Sequence, residues 1–336
     1  MIISWNTTNR CNMTCKHCYR DAGTEFEDEL NTLEAKKLIE EISKAGFKIM
    51  IFSGGEPLMR PDIYELIEHA AKCNLRPVLG SNGTLINRET ACKLKSAGVM
   101  GIGISLDSMD REKHNSFRGL SKGWEDTVKG MENCREAGLK FQIHTTIMDW
   151  NYEEILDITD FAVEIGALAH HIFFIVPSGR ALGIKKEFLS AEQHEELLTN
   201  IVKKQKEVNI EVKPTCAPQF MRIAKQQGVP YRFTKGCLAG ISYCIINPKG
   251  DVQPCAYLDL PVDNVRKRPF NEIWEHNSIL KNLRTLAYKD KCGLCVYKKL
   301  CGGCRARASY YHNGDYMAED TLCSYDGGKL SYEKQL

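Results

Sequence analysis

The chemistry in this chain is concentrated in its cysteines. There are 15 among 336 residues: three at 11, 15 and 18, eight between 237 and 323, and four alone at 73, 92, 134 and 216. Such clustering suits ligation, because several thiolates must converge on one centre. Cys11-x3-Cys15-x2-Cys18 sets three thiols within eight residues. Three thiolates can grip three irons of a 4Fe–4S cubane and leave the fourth iron open to a small molecule. The competing reading is a zinc knuckle or a set of reactive thiols. Zinc wants a fourth ligand nearby, and His17, lodged between two of the cysteines, is badly placed to close the same tetrahedron. Further on, Cys237-x6-Cys244-x10-Cys255, Cys292-x2-Cys295-x5-Cys301-x2-Cys304 and Cys323 supply eight more thiols. Eight suffice for two fully ligated cubanes, or for a pair of structural zinc sites, since Cys-x2-Cys pairs also build zinc ribbons. Cys73, Cys92 and Cys134 fall in helical patterns and read as small buried hydrophobes, while Cys216 could face a substrate.

The elements that must position these thiols are readable from apolar runs. Ile2–Trp5, Lys48–Ser53, Pro77–Ser81, Gly101–Asp107, Phe141–Met148 and His171–Val176 are short and β-branched or aromatic, as strands buried on both faces are. Helical patterns separate them, the first running over 32–46 with Thr32 as expected N-cap. Several end in Ala-Gly or Ile-Gly, a common stop. Six such units in order predict an α/β fold with a parallel sheet, an open partial (β/α)6 TIM-like barrel over residues 1–206. A linker is expected at 207–236, where Pro214, Pro218 and Pro230 fall, and a small cysteine-rich domain at 237–336. In such a barrel functional residues sit at the C-terminal ends of strands, and the first cysteine motif directly follows strand one.

Composition excludes some partners. The chain is 43% hydrophobic and 26% charged with a net charge of +2, so no basic field points to nucleic acid or an anionic membrane surface. No apolar run approaches the ~20 residues of a membrane span, and the N-terminus has no signal-peptide apolar region. The expected location is cytoplasmic.

Over residues 1 to about 185 the sequence resembles the radical S-adenosylmethionine (SAM) superfamily. Cys11-x3-Cys15-x2-Cys18 after strand one matches that family's signature, and Gly54-Gly55-Glu56-Pro57 after strand two matches its SAM-binding turn. The resemblance implies that Glu56 offers a carboxylate to the methionine ammonium. It also implies that Ser105 and Asp107 contact ribose and methionine, with Asn82 in the turn closing strand three. Taken singly, these residues could equally be a plain turn and helix caps. The implied chemistry is reductive cleavage of cluster-bound SAM to methionine and a 5′-deoxyadenosyl radical. The later cysteines, with Gly250 four residues before Cys255, resemble the SPASM extension of these enzymes. Its pattern implies one 4Fe–4S cluster on Cys237, Cys244, Cys255 and Cys304 and another on Cys292, Cys295, Cys301 and Cys323, three clusters in all. The spacing between Cys301 and Cys304 is two where the family usually has three.

A finer resemblance is to the tetrapyrrole-tailoring branch of SPASM enzymes. It is carried by residues 171–180, by Lys213-Pro-Thr-Cys-Ala-Pro218 and by the run from Gly236 to Arg307. Within that branch it points to the heme synthases that decarboxylate two propionates of iron-coproporphyrin III to vinyls. Two SAM per heme, a small electron donor and an electron acceptor are then required. The sister 12,18-didecarboxysiroheme deacetylases and heme d1 propionate-removing enzymes are alternatives, as are peptide-modifying SPASM enzymes. The last often carry an N-terminal peptide clasp, which is not expected ahead of residue 11. A non-catalytic electron carrier would not need the Gly54–Glu56 turn. Substrate carboxylates need cations, and Arg180 is the first candidate, followed by Arg20, Lys213 and Arg222, each of which could be only a solvated charge. His170 and His171 read first as packing residues.

Overall fold

The apolar runs assemble into one ten-stranded sheet. The structure is a computed structural model and describes residues 1–24 and 26–326. The strands are β1 (Ile2–Asn6), β2 (Ile49–Ser53), β3 (Arg76–Ser81), β4 (Gly101–Ser105), β5 (Phe141–Ile147), β6 (Ala169–Phe174), β7 (Glu211–Thr215), β8 (Tyr243–Ile246), β9 (Asp251–Gln253) and β10 (Asp263–Asn264). They lie in the order β10-β9-β8-β1-β2-β3-β4-β5-β6-β7. Strands β1 to β7 are parallel, and β8 joins the free side of β1, also parallel.

Each crossover carries a helix whose apolar stripe covers one sheet face. In the first, Thr32–Lys44, the buried residues Ala35, Leu38, Ile39 and Ile42 keep the 3–4 spacing of one helix side. Its N-cap is Asn31 rather than Thr32. The Asn31 side chain accepts from the Leu33 and Glu34 amides while Glu34 reaches back to the Asn31 amide, a capping box that Thr32, one residue inside, cannot make. Among the described residues no helix is long and apolar enough to cross a membrane.

Residues 207–236 are not a linker. They contain β7 and the helix Phe220–Gln226, so the parallel array has a seventh strand. Pro214 is tolerated in β7 because this strand is the sheet edge, where a missing amide donor interrupts no inner ladder. The cysteine-rich region is likewise joined to the barrel rather than set apart. Its hairpin, β8 and β9, turns through Asn247–Gly250. The Asn247 side chain accepts from the Lys249 and Asp251 amides at 3.0 and 2.9 Å, and Gly250 takes φ +93°. Phe270 and Trp274 then pack on Phe47 at ring distances of 5.4 and 5.0 Å, so both regions share one core.

Alternation along the strands divides core from lumen. Odd residues of β1 (Ile3, Trp5) and even residues of β8 (Cys244, Ile246) join the helix-covered core. On the other face, Ser105, His144, His171 and Lys213 pair in register across β4 to β7 and form one row along the barrel lumen. Gly103 leaves room for it, since a Cβ there would collide with the His144 ring.

Phe270→Ala should cost about 3–5 kcal/mol, the usual range for a buried phenylalanine. The loss should be seen in unfolding followed at either end of the chain. A loss confined to the cysteine-rich region would refute the shared core.

Candidate active site

The first cysteine motif occupies the loop between β1 and the first helix, at the C-terminal mouth of the barrel. Three thiols crowded together repel once ionised. Burial pushes Cys11 up to about 11, and charge on Cys15 or Cys18 would push it further. The loop is therefore held from several sides. Gly55 and Glu56 donate backbone hydrogen bonds to Thr8 and Arg10 carbonyls at 2.9 and 2.7 Å. Cys11 donates to Gly23 O at 2.9 Å, and Lys16 to Phe117 O at 2.9 Å. Asn82 Nδ2 donates to Asn12 Oδ1 at 2.8 Å. Two thiols receive amide hydrogen bonds: Met13 N to Cys11 Sγ and Ala22 N to Cys18 Sγ, both at 3.4 Å. Donors aimed at sulfur are what a cluster-ligating thiolate uses.

This geometry reassigns several expected ligand contacts. Gly54 and Gly55 admit backbone: a Cβ on Gly54 would lie 2.5 Å from Thr8 O, and one on Gly55 would collide with Arg10 O. Glu56 is fully buried. Its carboxylate accepts from Ser81 Oγ at 3.0 Å on both oxygens, from Asn82 N at 2.8 Å and from Leu58 N at 3.2 Å. It ties the end of β2 to the end of β3 and presents no free face to an ammonium. Asp107 is also spent internally. Arg118 Nε donates to its Oδ2 at 2.7 Å and Thr146 N to its Oδ1 at 2.8 Å. Burial alone would raise Asp107, but Arg118 overrides it and holds the carboxyl below its ordinary range. The same guanidinium faces Cys15, where it opposes the rise that burial imposes on the thiol. Ser105, by contrast, faces the lumen with no hydrogen-bond partner among the described residues, so of these expected SAM contacts it alone keeps an uncommitted hydroxyl.

Arg180 is not a free carboxylate binder. Its Nε donates to Cys15 O, and its Nη1 to Asp21 Oδ1 and Ala22 O, all at 2.8 Å. Arg222 is likewise occupied: its Nη2 donates to both Glu195 carboxylate oxygens at 2.7 and 2.6 Å, and its Nη1 to Gln226 at 3.0 Å. Lys213 has its ammonium 3.7 Å from the Phe233 ring centre and no hydrogen-bond acceptor among the described residues. Arg20 donates to Gln253 at 3.2 Å, and its buried Nε has no partner. Lys213 and Arg20 are thus the cations left over. His170 is packed, fully buried between Thr145 and Thr159, whereas His171 lies in the lumen row. His17 stacks on Phe117 at 4.2 Å and closes no tetrahedron.

The later cysteines form two groups. Cys292, Cys295, Cys301 and Cys323 line a cavity of ≈ 390 Å³ open to solvent. Tyr297 N and Gly303 N donate to Cys295 Sγ and Cys301 Sγ at 3.4 and 3.5 Å, and Arg305 reaches Cys292 Sγ at 3.7 Å. Cys255 and Cys304 pack together in a separate small core. Cys134 is buried as expected, Cys73 is partly buried, and Cys92 is exposed.

A model of the radical SAM superfamily matches residues 5–162, and one of an iron-sulfur cluster-binding domain, SPASM, matches 237–305. An AdoMet-dependent heme synthase of Nitratidesulfovibrio vulgaris is 44% identical over 98% of this chain and 94% of its own length. One from Methanosarcina barkeri is 42% identical, over 98% of this chain and 97% of its own. The chain belongs to the AdoMet-dependent heme synthase family of radical SAM enzymes. A Methanosarcina barkeri protein named Fe-coproporphyrin III synthase is more distant, 32% identical over 98% of this chain and 89% of its own. The solved structure of Streptococcus suis SuiB bound to S-adenosylmethionine superposes with a TM-score of 0.77 at 18% identity, covering 96% of this chain and 77% of that one, and shows the shared fold. As a member of this family the chain is an enzyme that uses iron-sulfur clusters and AdoMet, and the thiols and sulfur-directed amides described above fit such clusters.

Sequence reasoning had no sight of Arg118, Asn12 or the clamping role of Arg180. Their partners are fixed by loop geometry, and no spacing rule could have named them.

Burial pushes Glu56 up to about 7, against the hydrogen bonds from Asn82, Leu58 and Ser81. Its folded value lies above the ordinary 4.5. Its stabilisation is therefore full below that value and is lost as pH rises through about 7. Glu56→Gln cannot ionise, so its thermal deficit against the parent should shrink as pH rises from about 4.5 to about 7 and stay level above that. A deficit that widens would show that the carboxylate is the native species. SAM affinity in the variant should hold within about threefold; a fall of one to two decades, as for a lost charged hydrogen bond, would restore Glu56 as the ammonium contact.

Proposed function

We propose that this enzyme oxidatively decarboxylates two propionates of iron-coproporphyrin III to vinyls, giving heme b, in the cytoplasm and with three 4Fe–4S clusters. The observation that carries this reading is the nearer kinship to heme synthases than to the Fe-coproporphyrin III synthase of the same organism. Bound at Cys11, Cys15 and Cys18, the first cluster and SAM supply a radical able to take hydrogen from an unactivated C–H. Each propionate gives up one hydrogen atom, one CO2 and one electron on becoming a vinyl. A small electron donor and an electron acceptor complete the balance.

What the residues do follows from their places. Ser105 sits at one end of the lumen row, on the side where SAM is expected, and Lys213 at the other. A propionate held by Lys213 thus lies across the lumen from SAM, with two imidazoles between. His144 and His171 stack in near-parallel planes at 5.4 Å, and burial holds both below the ordinary histidine range. Neutral at pH 7, they line the path with hydrogen-bonding groups and no competing positive charge. Burial lowers Lys213 as well, opposed by Glu211, and a substrate carboxylate adds the counter-charge that favours its ammonium form. Arg20, in the cysteine loop and bonded to Gln253, is the second docking cation.

Reduced enzyme given SAM, an electron acceptor and iron-coproporphyrin III should release two CO2 through a one-vinyl intermediate, with one 5′-deoxyadenosine per CO2. Acetate loss from 12,18-didecarboxysiroheme would instead make it the deacetylase, and inertness toward both would favour a peptide substrate. Lys213→Met should raise KM for the porphyrin by about one to two decades, as for a lost charged hydrogen bond, while uncoupled SAM cleavage continues. An unchanged KM would leave Lys213 as part of the wall.

A further inference from the structure

We propose that Cys216, not Cys244, is the fourth protein ligand of the first auxiliary cluster, with Cys237, Cys255 and Cys304. The assignment rests on the reading that the C-terminal thiols hold iron-sulfur clusters.

Cys244 fails on alternation. It sits in β8 between Tyr243 and Ile245, paired in register with Ile3 of β1. Tyr243 points toward the lumen side, where its hydroxyl donates to Ser4 Oγ at 3.0 Å. Its neighbour must point the opposite way, and Cys244 is fully buried in the main apolar core with Ile3, Trp5 and Ile246. The charged group that bears on it is Arg284, and none of the other cysteines does. Turning this thiol around would require a register slip that also exposes Ile246.

Cys216 meets the other three. It follows the last residue of β7 and packs in the small core of Cys304 with Cys255. The segment before Cys237 lies against it: a Cβ on Gly236 would come within 2.6 to 2.8 Å of Pro218 atoms, so the 216–218 and 236–237 backbones are in contact. The thiol charges felt at Cys216 are those of Cys304, Cys255 and Cys237, and Cys255 and Cys304 each feel Cys237 as well. Cys216, Cys237, Cys255 and Cys304 therefore lie in one neighbourhood, and a cubane asks one thiolate of each.

The backbone at Cys216 is fixed for the purpose. The residue takes φ +60°, a left-handed conformation uncommon for a side chain other than glycine, asparagine or aspartate. A fully buried guanidinium pins it there. Arg307 Nη2 donates to Cys216 O at 2.8 Å while Nε and Nη2 grip Asp320 at 2.9 and 3.1 Å. Asp320 in turn accepts from Cys304 N at 2.7 Å. One ion pair thus sets Cys216 and Cys304 against each other. Each thiol loses its proton as its iron–sulfur bond forms, and no oxidant is needed.

Metal analysis and EPR of anaerobically reconstituted full-length protein test the assignment. The parent should hold about twelve irons, four to each cluster. Cys216→Ala should lose up to four of them, or convert one cluster to a three-iron form, and should match Cys237→Ala in spectrum. Cys244→Ala should keep the full count and the parent spectrum. Cys216→Ser, which leaves an oxygen at the same place, should retain iron with shifted g-values; a cysteine with only a packing role would leave the g-values unmoved. Survival of the Cys11, Cys15, Cys18 signal in each variant controls for folding. The proposal is overturned if Cys216→Ala keeps every iron, or if Cys244→Ala loses the cluster and Cys216→Ala does not. A parent holding about four irons and two zincs would instead sink the cluster reading beneath it.

Discussion

Everything in the active site depends on keeping one short loop still while three thiols on it are forced together. Burial opposes ionisation of Cys11 and Cys15, and charge on their neighbours opposes it further. The loop has no regular structure of its own to resist this. Its order comes from backbone hydrogen bonds to the end of β2, to the C-terminus of the helix Arg111–Arg118, and to Arg180 beyond β6. The parallel sheet makes this possible, because it delivers the C-terminal ends of all these strands to one mouth. Glu56 and Asp107 belong to the same task. Neither is free to hold a ligand, because each joins one strand end to another and so fixes the rim against which the loop rests.

Two buried ion pairs carry the charge balance. Arg118–Asp107 has side chains 8% and 0% exposed, and Arg307–Asp320 is wholly buried. A buried pair is a poor source of net stability, because desolvation costs about as much as attraction returns. What such a pair does well is hold a position. Here each guanidinium stands beside a thiol that the proposed clusters would take as a thiolate: Arg118 beside Cys15, and Arg307 beside Cys304. The cation lowers the cost of an anionic cluster where water cannot, and the carboxylate keeps the cation from swinging away when the site is empty.

The sequence was legible wherever a signal is local. Apolar runs located β1 to β6, and cysteine spacing located the cluster loop. β7 was hidden because Glu-Val-Lys-Pro-Thr is short and carries a proline, which reads as a breaker unless the strand is known to be an edge. Arg180 looked like a substrate ligand because it is basic and at the barrel mouth, yet its carbonyl acceptor lies 165 positions away. The family resemblance also favoured Cys244 over Cys216. Spacing measures distance along the chain, whereas a strand decides by parity which face a side chain takes.

The two auxiliary groups differ in what they face, and this gives them an order. Cys216 directly follows the strand that carries Lys213, so the group proposed for it lies at the barrel mouth beside the lumen row. Tyr257, from the cysteine-rich region, packs on Tyr19 of the first cluster loop at 5.2 Å and closes that side. The group of Cys292, Cys295, Cys301 and Cys323 instead lines a cavity open to solvent, with Lys291, Lys298 and Arg222 around it. Cys301 and Cys304, three residues apart, lie one in each group, and Cys237 N donates to Cys301 O at 3.2 Å, so the two groups share a backbone seam. An electron leaving a propionate radical would meet the sheltered group first and could reach an external acceptor only from the open one. In the proposed reaction the direction would follow from solvent access: the lumen would stay dry to protect a radical, and an acceptor would dock where water already reaches.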